Sequence, residues 1–142
     1  MRWKNFKLED LSVSYTADIN GIDNTIPEKY LQNAYELLDF VQGLRDFYRK
    51  PININSGYRS EDLNKAVRGS KMSSHLFAMA VDISPNHSED FNEFVEIVKE
   101  YAKDKAFDQI IIERSKNSRW VHIGLNHPIY GQRKQLFKMV VH

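Results

Sequence analysis

The stretch SSHLFAMAVD, residues 73–82, places Ser73, His75 and Asp82 inside a run that is otherwise apolar. A second histidine, His122, interrupts the apolar segment RWVHIGL farther along the chain. Burying a polar group is costly unless it is paired, so polar groups set into apolar segments call for a partner. Two imidazoles and one carboxylate, with a fourth position left open, form a ligand set used by catalytic zinc, where bound water becomes acidic enough to act near neutral pH. The chain has no cysteine, which excludes disulfides and thiolate metal sites and leaves histidine and carboxylate as the strong ligands. A histidine beside an apolar run is more often a hydrogen-bonded structural residue than a ligand, and the spacing alone leaves both readings open.

Strand periodicity decides whether these groups can meet. In MAVDIS, Val81 and Ile83 point one way and Asp82 the other; in RWVHIGL, Val121, Ile123 and Leu125 oppose His122. With Ile110 and Ile112 of FDQIIIE on the core side, Gln109, Ile111 and Glu113 share the face of Asp82 and His122. One sheet face can thus gather the polar set. His75 follows the turn-forming GSKMSS and precedes the Asp82 strand, so its imidazole can swing in from a loop.

The remaining elements form the scaffold. FDQIIIE and RWVHIGL, joined by the polar RSKNS, read as a hairpin, and PININSGY alternates Ile52 and Ile54 with Asn53 and Asn55 as a further strand. Pro27 can open a helix without losing a needed N–H, and Leu31, Ala34, Leu38, Val41 and Tyr48 then recur near the 3.6 period, despite Gly43, until Pro51 ends the segment. Ser60 caps a short helix through about Val67, which RGSK breaks, and Ser88 with Glu89 and Asp90 opens another whose Phe91, Val95, Val98 and Ala102 share a face. LEDLSVSYTADINGIDNTI reads as a short helix followed by a loop around Asn20 and Gly21. Tyr30, Tyr35 and Tyr48 are at helical spacing and read as packing residues.

A chain of 142 residues, without repeats, low-complexity tracts or long linkers, is expected to form one domain over residues 1–142. Twenty basic residues against 19 acidic ones give a net charge of +1, no electrostatic reason to expect nucleic acid or an anionic membrane as partner. The N-terminal MRWKNFKLEDLSVSY lacks an apolar export region and no segment approaches a membrane span. Synthesis in the cytosol without a signal peptide is the expectation.

Together, SGYRS (56–60), LNKAV (63–67), SSHLFAMAVDI (73–83) and WVHIG (120–124) resemble, in order and spacing, the zinc peptidases of the D-Ala-D-Ala carboxypeptidase type in the Hedgehog/DD-peptidase superfamily. NFKLEDLSVSYTADINGIDNTIP and FDQIIIE further resemble the small peptidase domains of bacteriophages and bacterial cell-wall enzymes. The resemblance implies an α+β fold: a small antiparallel sheet with helices on one side and a zinc cleft on the other. It implies that His75, Asp82 and His122 are the zinc ligands, that Arg59 holds substrate or the developing oxyanion, and that Ser73 lies near a substrate carboxylate. Three positions depart from the pattern. Ala78 and Arg68 stand where glycines are usual, and Arg119 stands where relatives often carry an acidic general base. Glu113 is then the nearest candidate base by strand geometry.

Each assignment has a plainer counterpart: Arg59 pairing with Glu61 or Asp62, Ser73 capping a turn, Glu113 solvated at a strand end, Trp120 walling the cleft or packing an edge. The implied activity is hydrolysis of a peptide bond in peptidoglycan stem or cross-link peptides by a monomer. It would act at the wall after lysis, holin-type release or as part of a particle. The alternatives are a non-catalytic, zinc-stabilised cell-wall-binding module and a structural component of a phage particle.

Overall fold

Alternating strands and amphipathic helices assemble here into a five-stranded sheet backed by helices on one face. The computed structural model of the chain describes residues 2–142. Its helices are α1 (Tyr15–Ile19), α2 (Leu31–Tyr48), α3 (Glu61–Ala66) and α4 (Phe91–Ala102). The strands are β1 (Ile52–Ser56), β2 (Ala80–Pro85), β3 (Gln109–Arg114), β4 (Arg119–Gly124) and β5 (Gln135–Val140), ordered β1-β2-β4-β3-β5 across the sheet. No helix among the described residues is long and apolar enough to cross a membrane.

The core lies between the sheet and the helices. Leu37, Leu38, Val41 and Leu44 of α2 and Phe94 and Val98 of α4 are buried with Val81, Ile83, Ile110, Val121 and Ile123 from the strands. At about 1.5–3 kcal/mol per buried large aliphatic or aromatic side chain, this one face supplies much of the driving force for folding. Gly43 lets α2 and α4 approach: a Cβ there would sit 2.0 Å from the Tyr101 hydroxyl oxygen. Helix α2 ends at Arg49, which takes a left-handed conformation at φ 67°.

Local boundaries differ from the sequence expectation in small ways. LEDL folds as a 3₁₀ turn and the helix proper is α1, capped by the Ser14 side chain, which accepts from Ala17 N–H. Both α2 and α4 begin with a 3₁₀ turn, Glu28–Tyr30 and Ser88–Asp90. The β3–β4 hairpin forms, closed by a Ser115 N–H to Ser118 O bond of 2.8 Å.

The larger difference is β5, for which the sequence reading has no strand. It runs parallel to β3, pairing Ile111 with Phe137 and Glu113 with Met139, so the sheet is mostly antiparallel rather than wholly so. Every residue of β5 is exposed, and an edge strand with neither face buried carries no apolar–polar alternation to read.

Candidate metal centre

Sheet register brings the polar groups together. Asp82 on β2 is the direct partner of His122 on β4, and His122 is in turn opposite Ile111 on β3, two residues along from the Glu113–Trp120 pair. These side chains occupy the face away from α2 and α4, as the period-two alternation requires. His75 enters from the 3₁₀ turn Ser74–Phe77, just before β2.

That turn is fixed at both ends. The Ser73 hydroxyl accepts from His75 N–H at 3.2 Å, and Ala78 terminates it at φ 56°. His75 Nδ1–H donates to the Gly57 carbonyl at 2.7 Å, which leaves Nε2 with a free lone pair aimed at the cluster, 3.4 Å from Asp82 Oδ2. Hydrogen bonding of one ring nitrogen to a carbonyl is a standard way to fix a ligating tautomer. Gly57 is itself demanded by space, since a Cβ would lie 2.5 Å from the Leu11 carbonyl oxygen, and Tyr58 N–H bonds that same oxygen at 2.7 Å.

Ligand chemistry asks for neutral imidazole and ionised carboxylate. Burial pushes the His75 pKa down against the pull of Asp82, which favours the neutral ring that ligation needs. Burial would raise the Asp82 pKa, but His75 and His122 outweigh it and hold the carboxyl far below the usual range. Burial also opposes a proton on His122, yet the 3.0 Å contact of its Nδ1 with Asp82 Oδ1 outweighs this and raises its pKa. A cation among these atoms would take the place of the proton that His122 and Asp82 share. One ligand atom from each of His75, Asp82 and His122 lies within 4.8 Å of the others. The residues fit a divalent metal with an N₂O donor set.

Two further charged groups border the cluster. Glu113 is buried, with Oε1 3.8 Å from His122 Nδ1; burial raises its pKa, His122 and Arg59 oppose that in part, and Asp82 adds to it. It is therefore not a solvated residue at a strand end. Arg59 reaches in from the segment after β1, with Nη2 3.6 Å from Asp82 Oδ2 and its backbone N–H on the His75 carbonyl at 3.0 Å. It has no ion pair with Glu61 or Asp62 among the described residues.

Arg119 lies elsewhere. Its parity matches Val121 and Ile123, so it points to the helix side, where its guanidinium donates to the Ser88 carbonyl at 3.1 Å and Asn92 Oδ1 at 3.4 Å and covers the Phe91 ring. It ties β4 to the start of α4. The other two departures, Arg68 and Ala78, both have positive φ, 59° and 56°, the left-handed region that glycine adopts without strain.

Sequence reading missed the groups that brace Arg59. Asn24, buried, donates to the Ser12 and Tyr58 carbonyls and accepts from Ser60 N–H at 2.8 Å. Asn64, also buried, donates to the Ser70 carbonyl and accepts from Arg59 Nη1. The available signal was an asparagine, a poor helix former, in the interior of a short helix.

A helix-backed sheet presenting two imidazoles, a carboxylate and a second, buried carboxyl group on its open face defines an α+β protein with a metal-hydrolase type of site. The chain belongs to the peptidase M15 family, the zinc D-Ala-D-Ala carboxypeptidase type: the family model described as Peptidase M15 matches residues 4–124. The matched span contains all three cluster residues, Arg59, Ser73 and Glu113, and ends where β4 ends, short of β5. No curated protein matches the chain.

Proposed function

We propose that the protein is a zinc metallopeptidase that hydrolyses a peptide bond in the stem or cross-link peptides of peptidoglycan, working as a monomer that reaches the wall after lysis, through a holin-type lesion or in a particle. The observation that carries this reading is the convergence of the His75–Asp82–His122 cluster with Glu113 and Arg59 on one sheet face. Family membership supports peptide bonds as the target.

His75 through Nε2, Asp82 through its carboxylate and His122 through Nδ1 would hold the metal. When bound, zinc supplies a Lewis acid that polarises a carbonyl and acidifies water near neutral pH. Glu113 takes the proton from the attacking water and returns it to the leaving amine; its raised pKa suits a group that must both accept and give up that proton. Arg59 sets a positive charge beside the carbonyl oxygen as it gains negative charge. The Ser73 hydroxyl, already accepting from His75 N–H, keeps its own O–H free to donate to a substrate carboxylate.

Purified peptidoglycan digested with zinc-loaded protein and analysed by mass spectrometry should gain new amino and carboxyl ends, with no new reducing sugar. The chelated protein should produce none. Identical fragments with and without zinc, with retained binding to the sacculus, would replace the enzyme by a binding module. Absence of both cutting and binding would remove the cell wall as the target.

A further inference from the structure

Arg59 is held in a way its proposed role does not require but its surroundings do. The guanidinium lies among three groups: Ser56 Oγ at 3.4 Å from Nε, Asp82 Oδ2 at 3.6 Å from Nη2, and Asn64 Oδ1 at 3.3 Å from Nη1. Asp82 is, among the described residues, the one carboxyl within ion-pair distance of the guanidinium and is buried, so it is the strongest attractor, and an unrestrained guanidinium would close on it. A charge spent on a metal ligand is lost to the reacting carbonyl. Asn64 is the counterweight on the far side.

The Asn64 amide is itself fixed. Its Nδ2 donates to the Ser70 carbonyl at 2.9 Å, and since an amide nitrogen only donates, Oδ1 must be the atom that faces Arg59. Its backbone carbonyl accepts from Gly69 N–H at 2.8 Å, which folds the 69–70 segment over the side chain. Gly69 leaves the space that this contact needs: a Cβ there would stand 2.0 Å from Asn64 Oδ1 and 3.0 Å from Arg59 Nη1. Gly69 does not have a positive φ, so space, and not backbone conformation, sets the demand for glycine.

We propose that Asn64 is a positioning residue that holds the Arg59 guanidinium off Asp82 and directed at the substrate carbonyl, with Gly69 as the space that permits it. The inference rests on the role given to Arg59 above. Two variants break the same contact differently. Asn64→Ala removes the acceptor and leaves Ser70 O with the Ser73 N–H as its remaining donor; Gly69→Ala keeps every hydrogen-bonding group and only wedges the amide from the guanidinium.

The test is steady-state hydrolysis of a purified muropeptide by zinc-loaded protein, with zinc content and the ¹⁵N NMR signal of the Arg59 Nε–H measured alongside. Arg59→Ala should lower kcat by about a hundredfold. Asn64→Ala and Gly69→Ala should each lower kcat about tenfold with KM and zinc content little changed, since misplacing a catalytic charge by about 1 Å is costly. In an Arg59→Ala background, Asn64→Ala should cost nothing further, the non-additivity expected of a residue acting through another. The Arg59 Nε–H signal, sharp in the parent, should broaden in both single variants. An equal loss from Asn64→Ala in both backgrounds, or an unchanged Arg59 signal in both variants, would overturn the inference while leaving the enzyme reading intact. Full kcat in Arg59→Ala would instead overturn the role of Arg59 and the inference with it.

Discussion

Arg68→Gly should stabilise the protein by about 0.5–1 kcal/mol, the net of a left-handed penalty of about 1–2 kcal/mol for a side-chain-bearing residue and the extra unfolded-state freedom of glycine. Arg68 follows Val67, the C-cap of α3, at φ 59°, where its N–H bonds Lys65 O and the next N–H, of Gly69, bonds Asn64 O. This is the position after a helix where glycine is favoured. Its side chain is exposed and has no hydrogen-bond or ion-pair partner among the described residues, so truncation removes no contact of that kind. Ala78 provides the control. It has nearly the same φ, 56°, but is fully buried, and deleting its methyl forfeits about 0.8 kcal/mol of burial. Ala78→Gly should therefore come out near neutral. Urea titration of metal-free protein reads both, with unchanged slopes and a raised midpoint for Arg68→Gly only; a gain near 1 kcal/mol corresponds to about 2–4 °C in Tm. A lowered midpoint for Arg68→Gly, or an equal gain for Ala78→Gly, would refute the argument that backbone conformation at these two positions dominates.

Elemental analysis of protein purified without chelator should find about one zinc per chain, and Asp82→Ala should abolish it, since two imidazoles alone make a weak site. Glu113→Gln should keep fold and zinc but lose on the order of a hundredfold in turnover; near-normal turnover would point to substrate-assisted proton transfer, because Asp108 is already committed to Arg133. Asp108 also carries a pH prediction. Burial would raise its pKa, but bonds from Arg133 Nε, Nη2 and backbone N–H outweigh that and lower it. A carboxylate with a lowered folded pKa contributes stability above its unfolded value of 3.8 that disappears as pH falls through the folded one. Asp108→Asn should cost about 1.5–3 kcal/mol at pH 7, with the difference from the parent shrinking as pH drops below 3.8 in acid-titrated denaturation curves.

What the sequence made legible was face, and what it hid was approach. Asp82, His122 and Glu113 share a side of the sheet because each sits at odd parity to a run of core aliphatics, a pattern with period two that survives without coordinates. The same parity places Arg119 with Val121 and Ile123, on the side of β4 away from His122. Glu113 reads from sequence as equally a solvated strand end; only its neighbours bury it. Gly57 and Gly69 are glycines because of what comes near them from elsewhere in the chain, Leu11 in one case and the Arg59–Asn64 contact in the other. No local pattern encodes that. β5 lacks both alternation and burial, so its pairing with β3 is a property of the assembled sheet.

The pairing of Asp82 with His122 joins residues 40 positions apart, and the segment between them holds α4, β3 and the hairpin turn. A metal shared by these two side chains is thus a covalent-like clasp on a chain that has no cysteine. A permanent cross-link closing a loop of about 40 residues removes denatured-state entropy worth about 4 kcal/mol at room temperature. A chelator would then do more than stop chemistry: it would withdraw that clasp, leaving the β2–β4 ladder and the hydrophobic face against α2 and α4 to hold the second half of the sheet in place.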